Sequence, residues 1–71
     1  MDKKLDYTKR IDEVDASNTY IGTASPYASE DDSVWQIKKV IVSGTVTNIK
    51  YAFGNNLFDK KWSLRATYIY L

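Results

Sequence analysis

The chain of 71 residues contains no cysteine and no histidine, one proline and three glycines. Without cysteine no disulfide can staple the fold, and without either residue a thiolate or imidazole zinc site is excluded. A cysteine-free fold is also indifferent to the redox state of its compartment. The nucleophile–base pairs that rely on histidine or cysteine are ruled out as well, so an enzyme would need a carboxylate pair or an activated lysine. Long apolar runs are missing too. The longest, Tyr68-Ile69-Tyr70-Leu71, is far short of the ~20 residues of a membrane-spanning helix. The start, Met1-Asp2-Lys3-Lys4-Leu5-Asp6, has no apolar stretch behind its charges, so no signal peptide and no membrane association are expected.

A chain this short buries only about 60 % of the surface its unfolded form exposes. Such small cores lean on disulfides, metals or oligomerisation. With disulfides and zinc excluded, partner subunits are the favoured support. Net charge is +1, too small for general nucleic-acid affinity. Its distribution says more. Residues 1–35 hold four Lys/Arg against eight Asp/Glu, a net of −4, and residues 36–71 hold six against one, a net of +5. The halves either cancel within one fold or give the molecule an acidic and a basic face suited to head-to-tail packing between copies.

What the chain does have is aromatics, ten in all, with many Val, Ile and Thr, a strand-forming composition. Leu5–Val14 reads as an edge strand. Asp15-Ala16-Ser17-Asn18 is turn chemistry, because these side chains bond locally to backbone. Thr19–Ala24 is a short strand in which Gly22 marks a bulge or a close backbone approach. Ser25–Ser33, carrying Pro26, is a loop. Val34–Val42 and Val46–Phe53 form a hairpin about Ser43-Gly44. In the second of these strands Thr47, Ile49, Tyr51 and Phe53 alternate with Asn48, Lys50 and Ala52, and Tyr51 is assigned to the core with Trp35, Trp62 and Tyr68. Gly54-Asn55-Asn56 makes a turn, and Trp62–Leu71 is a last strand with Trp62, Leu64, Ala66, Tyr68 and Tyr70 on one face. The expectation is all-β: residues 1–71 as a single β domain, a small five-stranded, mostly antiparallel barrel or sandwich, with residues 1–18 an arm or edge strand.

Carboxylates cluster at Asp12, Glu13 and Asp15 and at Glu30, Asp31 and Asp32. A catalytic pair also needs a concave pocket, which five short strands scarcely supply, so these acids read as solvated loop residues and the chain as no enzyme. Neither cluster has the spacing of an EF-hand loop, and no cofactor or metal is expected. Lys38, Lys39, Lys50, Lys60, Lys61 and Arg65 lie among aromatics, as in base-stacking barrels, but using the tryptophans as platforms would leave little core. The contact candidates are therefore Tyr27, Glu30, Asp31, Asp32, Lys60, Lys61 and Tyr70, where stiff aromatic area or charge can meet a partner.

Tyr20-Ile21-Gly22-Thr23-Ala24-Ser25-Pro26, then Trp35-Gln36-Ile37-Lys38-Lys39, resembles a family of small tailed-bacteriophage proteins. Tyr51-Ala52-Phe53-Gly54, Phe58-Asp59 and Trp62 with Arg65 and Tyr70 follow in the same order, so the resemblance covers residues 20–70. The chain departs from the pattern at Phe53, where a polar residue is commoner, and at Lys60-Lys61. The resemblance implies phage origin. With it, the expected function is a structural or adaptor protein of the virion, made in the host cytoplasm and contacting other phage structural proteins in many copies. Two other roles fit the same features: a glycan- or receptor-binding module of a tail fibre, and an early protein that inhibits a host factor.

Overall fold

The computed structural model describes residues 7–71. Four strands, β1 (Thr8–Asp15), β2 (Asn18–Ala24), β3 (Gln36–Ser43) and β4 (Val46–Tyr51), form one antiparallel sheet in the order β1-β2-β3-β4. The all-β expectation holds. The five-stranded barrel or sandwich does not: the sheet has four strands and is open. Leu5, placed in the first strand by its sequence, lies outside the described residues.

Both hairpins close where side-chain chemistry dictates. At the first, Asp15 Oδ1 accepts from the Ser17 N–H at 2.8 Å and from Asn18 Nδ2 at 3.1 Å. At the second, Ser43 pairs with Val46 across a two-residue loop, and Gly44 adopts φ 62°. A positive φ at the first loop residue matches the twist of the flanking strands and suits glycine.

The segment expected as a fifth strand instead begins with a 3₁₀ helix, Trp62–Thr67. In a 3₁₀ helix residues three apart share a side, so Trp62, Arg65 and Tyr68 fall together. The Arg65 guanidinium lies 4.6 Å from the Trp62 ring centre, and the Tyr68 hydroxyl accepts from the Lys61 N–H at 2.8 Å. Leu64 and Ala66, placed on the same face as Trp62 by alternation, are exposed as a result. Only the chain end turns extended, where Tyr70 bridges Ala52.

The core lies on one face of the sheet: Tyr20, Ala24, Trp35, Ile37, Ala52 and Trp62. Gly22, Ile37 and Ala52 are opposite one another on β2, on β3 and just beyond β4. The Trp35 and Trp62 rings meet at 5.7 Å over Gly22. A Cβ on Gly22 would stand 2.5 Å from Trp62 Cε3 and 3.0 Å from Trp35 Cε3. The close approach expected at Gly22 is therefore made by indole rings.

Gly22→Ala should lower stability by about 1–3 kcal/mol, the usual cost of forcing extra volume into a packed site. Gly44→Ala, with nothing near its added Cβ, should cost only the roughly 1 kcal/mol of a left-handed backbone. Urea midpoints of the two variants compare them, and equal losses would refute the seating of both rings on Gly22.

Candidate functional site

Successive side chains of a strand alternate between faces, so the buried row fixes the rest. With Ile37 and Ala52 inward, Thr47, Ile49 and Tyr51 point to the opposite face. The inward assignment of Tyr51 is thereby corrected: the small Ala52 sits beneath the aromatic cover, and the large alternating side chains of β4 lie outside. On that outer face Ile11, Ile21, Lys38 and Tyr51 form one cross-strand row, and Glu13, Thr19, Val40 and Ile49 the next, with Val42 and Thr47 beyond. Ile11 is 66 % exposed and Ile49 58 %. The result is an open, mostly β-branched surface.

One end of this face is closed by the loop after β4. Gln36 Nε2 donates to the Asn56 carbonyl at 3.0 Å, and Phe58 stacks on Tyr7 with ring centres 6.0 Å apart. Beside that stack is a shallow cleft of about 310 Å³ lined by Tyr7, Ser25, Val34 and Phe58. Its lining carries no carboxylate and no amine.

The sheet edges follow from the same register. The Ala52 N–H donates to the Ile37 carbonyl at 3.0 Å. Antiparallel pairs alternate between bonded and non-bonded, so Lys50 and Asn48 also turn their backbone groups towards β3, and Thr47, Ile49 and Tyr51 turn theirs away. The Tyr51 carbonyl accepts from the N–H of Leu71 at 3.3 Å, and the Ile69 carbonyl accepts from the Phe53 N–H at 2.7 Å. The chain end thus covers one part of the edge. Thr47 and Ile49 have no such backbone partner among the described residues. Carried across the sheet, the alternation turns Lys9, Ile11 and Glu13 of β1 outward on the opposite edge. β1 is rich in charge and has a register shift between Glu13 and Asp15, both features that restrict edge pairing. β4 has one charge, Lys50.

Because sheet order follows chain order, the basic second half falls on one side of the sheet: Lys38, Lys39 and Lys50 lie on β3 and β4, while β1 carries Asp12, Glu13 and Asp15 together with Lys9 and Arg10. Among the described residues one ion pair joins the two halves, Arg65 Nη2 lying 3.0 Å from Asp12 Oδ2. Lys38, Lys39 and Lys50 have no carboxylate partner among the described residues, and Lys39 stands directly opposite Lys50, an unfavourable like-charge pair. Lys39 is instead drawn to aromatic faces, 5.4 Å from the Tyr20 ring centre and 5.9 Å from that of Tyr70.

The residues singled out from the sequence are dispersed. Tyr27, Glu30, Asp31 and Asp32 share the β2–β3 loop, where Tyr27 is 93 % exposed with φ 68°. Glu30 pairs with Arg10 at 3.3 Å, and Asp32 Oδ2 accepts from the Ser29 N–H at 2.8 Å. Lys60 is 5 % exposed, its ammonium held by Asp59 and by Asn55 Oδ1 at 2.8 Å. Its backbone bridges Trp35 through two 2.9 Å bonds. Lys61 and Tyr70 are half-buried, and the Tyr70 hydroxyl donates to the Arg65 carbonyl at 2.7 Å. The open face and the Thr47–Ile49 edge were not among the sequence-derived candidates, although the alternation of β4 carried the signal.

Among the described residues no group of three or more carboxylates could hold a metal ion, and no helix is long and apolar enough to cross a membrane. No family model, curated protein or solved structure matches the chain.

Burial, and then the neighbouring Tyr20 and Tyr68, raise the Tyr70 hydroxyl well above the ordinary tyrosine value of 10. The unfolded chain therefore loses this proton first. Stability should be complete below about pH 10 and fall as pH rises past it. Tyr70→Phe should cost about 1 kcal/mol at pH 7 through the lost hydrogen bond, yet flatten the alkaline decline. Urea midpoints from pH 7 to 11 test this, and an unchanged slope in the variant would assign the decline to another group.

Proposed function

We propose that this chain is a non-enzymatic contact module that works in many copies through protein–protein surfaces. The observation that carries the reading is the open face of Ile11, Ile21, Val40, Val42 and Ile49, flanked by Lys38, Lys39 and Lys50, which have no carboxylate partner among the described residues. Contiguous apolar surface left uncovered on a small domain marks an interaction site. A core built on one side of the sheet leaves the other side to be covered by a partner, as expected for a small domain supported by assembly. The resemblance of residues 20–70 to small tailed-phage proteins supports placing the module in a phage particle, in contact with other structural proteins of that particle.

Quantitative mass spectrometry of purified particles, scaled to the major capsid protein, tests the placement. The expected result is a fixed stoichiometry matching a symmetry of the particle. Recovery only from infected-cell lysate would overturn it and bring inhibition of a host factor forward. Val40→Glu, which puts a charge on the open face and leaves the core untouched, should reduce incorporation at least tenfold while the melting temperature changes little. Normal incorporation of this variant would remove the open face from the contact.

A further inference from the structure

We infer that β1 is a dimerisation edge, at which two copies of the chain pair antiparallel about a two-fold axis through Ile11. The junction is separate from the open-face contact proposed above. It shares with that contact only the premise that the chain acts in more than one copy.

β1 ends the sheet on one side, and Lys9, Ile11 and Glu13 turn their backbone N–H and C=O groups away from β2. Among the described residues no other backbone pairs with these groups. An edge of this kind is a template for an added strand. It is also open to a partner: Lys9, Arg10, Ile11 and Glu13 are exposed, and Asp12 is half-buried.

Charge order selects the occupant. Lys9-Arg10-Ile11-Asp12-Glu13 runs as two cations, a neutral centre and two anions. In a two-fold antiparallel pair centred on Ile11, Lys9 faces Glu13 of the second copy and Arg10 faces its Asp12, each pair occurring twice. Opposite charges directly across a strand pair stabilise it, and like charges there destabilise it. Outward residues must meet outward residues for their backbone groups to bond, so the axis passes through a residue and not between two. An axis through Arg10 sets Arg10 against itself, and one through Asp12 does the same to Asp12. Lys9 and Glu13 fare no better. Ile11 is the one residue of the five whose self-pairing is neutral, and the one that matches all four charges. The β4 edge answers little of this pattern, since Lys50 is its one charge and the chain end covers part of it.

The faces agree with this register. Lys9, Ile11 and Glu13 share the open face, so the Lys9–Glu13 pairs flank an Ile11–Ile11 contact there and the open faces of the two copies join. Arg10 and Asp12 lie on the core face. Arg10 is 3.3 Å from Glu30, and Arg65 makes both of its 3.0 Å contacts with Asp12 at Oδ2. Oδ1 of Asp12 is thereby left for Arg10 of the second copy. Glu30, Arg10, Asp12 and Arg65 then alternate in sign across the junction. The charges that deter other edges from β1 fit its own copy, and the register shift between Glu13 and Asp15 ends the pairing at Glu13.

The test is sedimentation of the full chain over a range of concentration and salt. Mass should rise with concentration, level off at two copies, and fall as salt screens the charge pairs. Ile11→Pro removes an outward N–H and spares the β1–β2 ladder, a position where an edge strand accepts proline. It should yield a monomer that still unfolds cooperatively. Lys9→Glu and Glu13→Lys should each weaken dimerisation at least tenfold, because each sets like charges in both symmetry-related pairs. An equimolar mixture of the two variants should restore it, and so should the double variant alone. That rescue carries the test should Ile11→Pro fail to fold. A chain monomeric at every concentration overturns the junction, and so does a dimer indifferent to both charge reversals. Val40→Glu, two strands away from β1, should leave the dimer intact; its loss there would move the contact to the open face and overturn the junction. Particle-bound copies of a chain that is monomeric in solution would overturn the junction and leave the module reading standing. A dimer of a chain absent from particles would do the reverse.

Discussion

Two tryptophans share one seat on the sheet, and that seat is the absence of a side chain at Gly22. Trp35 arrives from the strand side and Trp62 from the 3₁₀ helix, and their rings meet over bare backbone. Much of what covers the core face is attached to these two rings or packs beside them. Lys60 bridges Trp35 by backbone bonds, Arg65 stacks on Trp62 and reaches across to Asp12, and Tyr70 packs on Tyr20. Large indole rings suit a chain that has few residues with which to fill a core, because each removes much apolar area from water at once.

Spending both tryptophans and the 3₁₀ helix on one side has a structural consequence. A sheet has two faces, and this chain supplies cover for one of them and for an end of the other. The loop after β4 reaches round to Gln36 and Tyr7, and among the described residues the second layer stops there. The remaining β-branched surface is the counterpart of the one-sided core, and it is the feature through which the molecule is read as part of an assembly.

Topology does for charge what packing does for apolar surface. A meander in which each strand lies beside its predecessor keeps Lys38, Lys39 and Lys50 on β3 and β4, apart from the acids of β1, which share their strand with Lys9 and Arg10. Here the Arg65–Asp12 pair spans the two halves, while Lys38, Lys39 and Lys50 turn to aromatic faces or to solvent. Such lysines on exposed surface add little stability.

The sequence by itself determined the strand-rich class, both tight turns, the β2–β3 loop, the close approach at Gly22 and the burial of Trp35 and Trp62. Each of these rests on local chemistry: β-branched and aromatic composition, Asp, Asn and Gly at turns, and bulk where a small core requires it. What only the tertiary structure decided was which face of β4 is covered and what the last ten residues become. Alternation of period two separates two faces but does not say which one a distant segment will cover. With Thr47, Ile49 and Tyr51 on one side and Ala52 on the other, the large residues looked like core. The covering rings needed room above the sheet, and the small Ala52 provided it. The end of the chain carries two periods at once, Trp62, Tyr68 and Tyr70 fitting a strand, and Trp62, Arg65 and Tyr68 fitting a 3₁₀ turn. The contact of Arg65 with Asp12, made across the fold, selects the second.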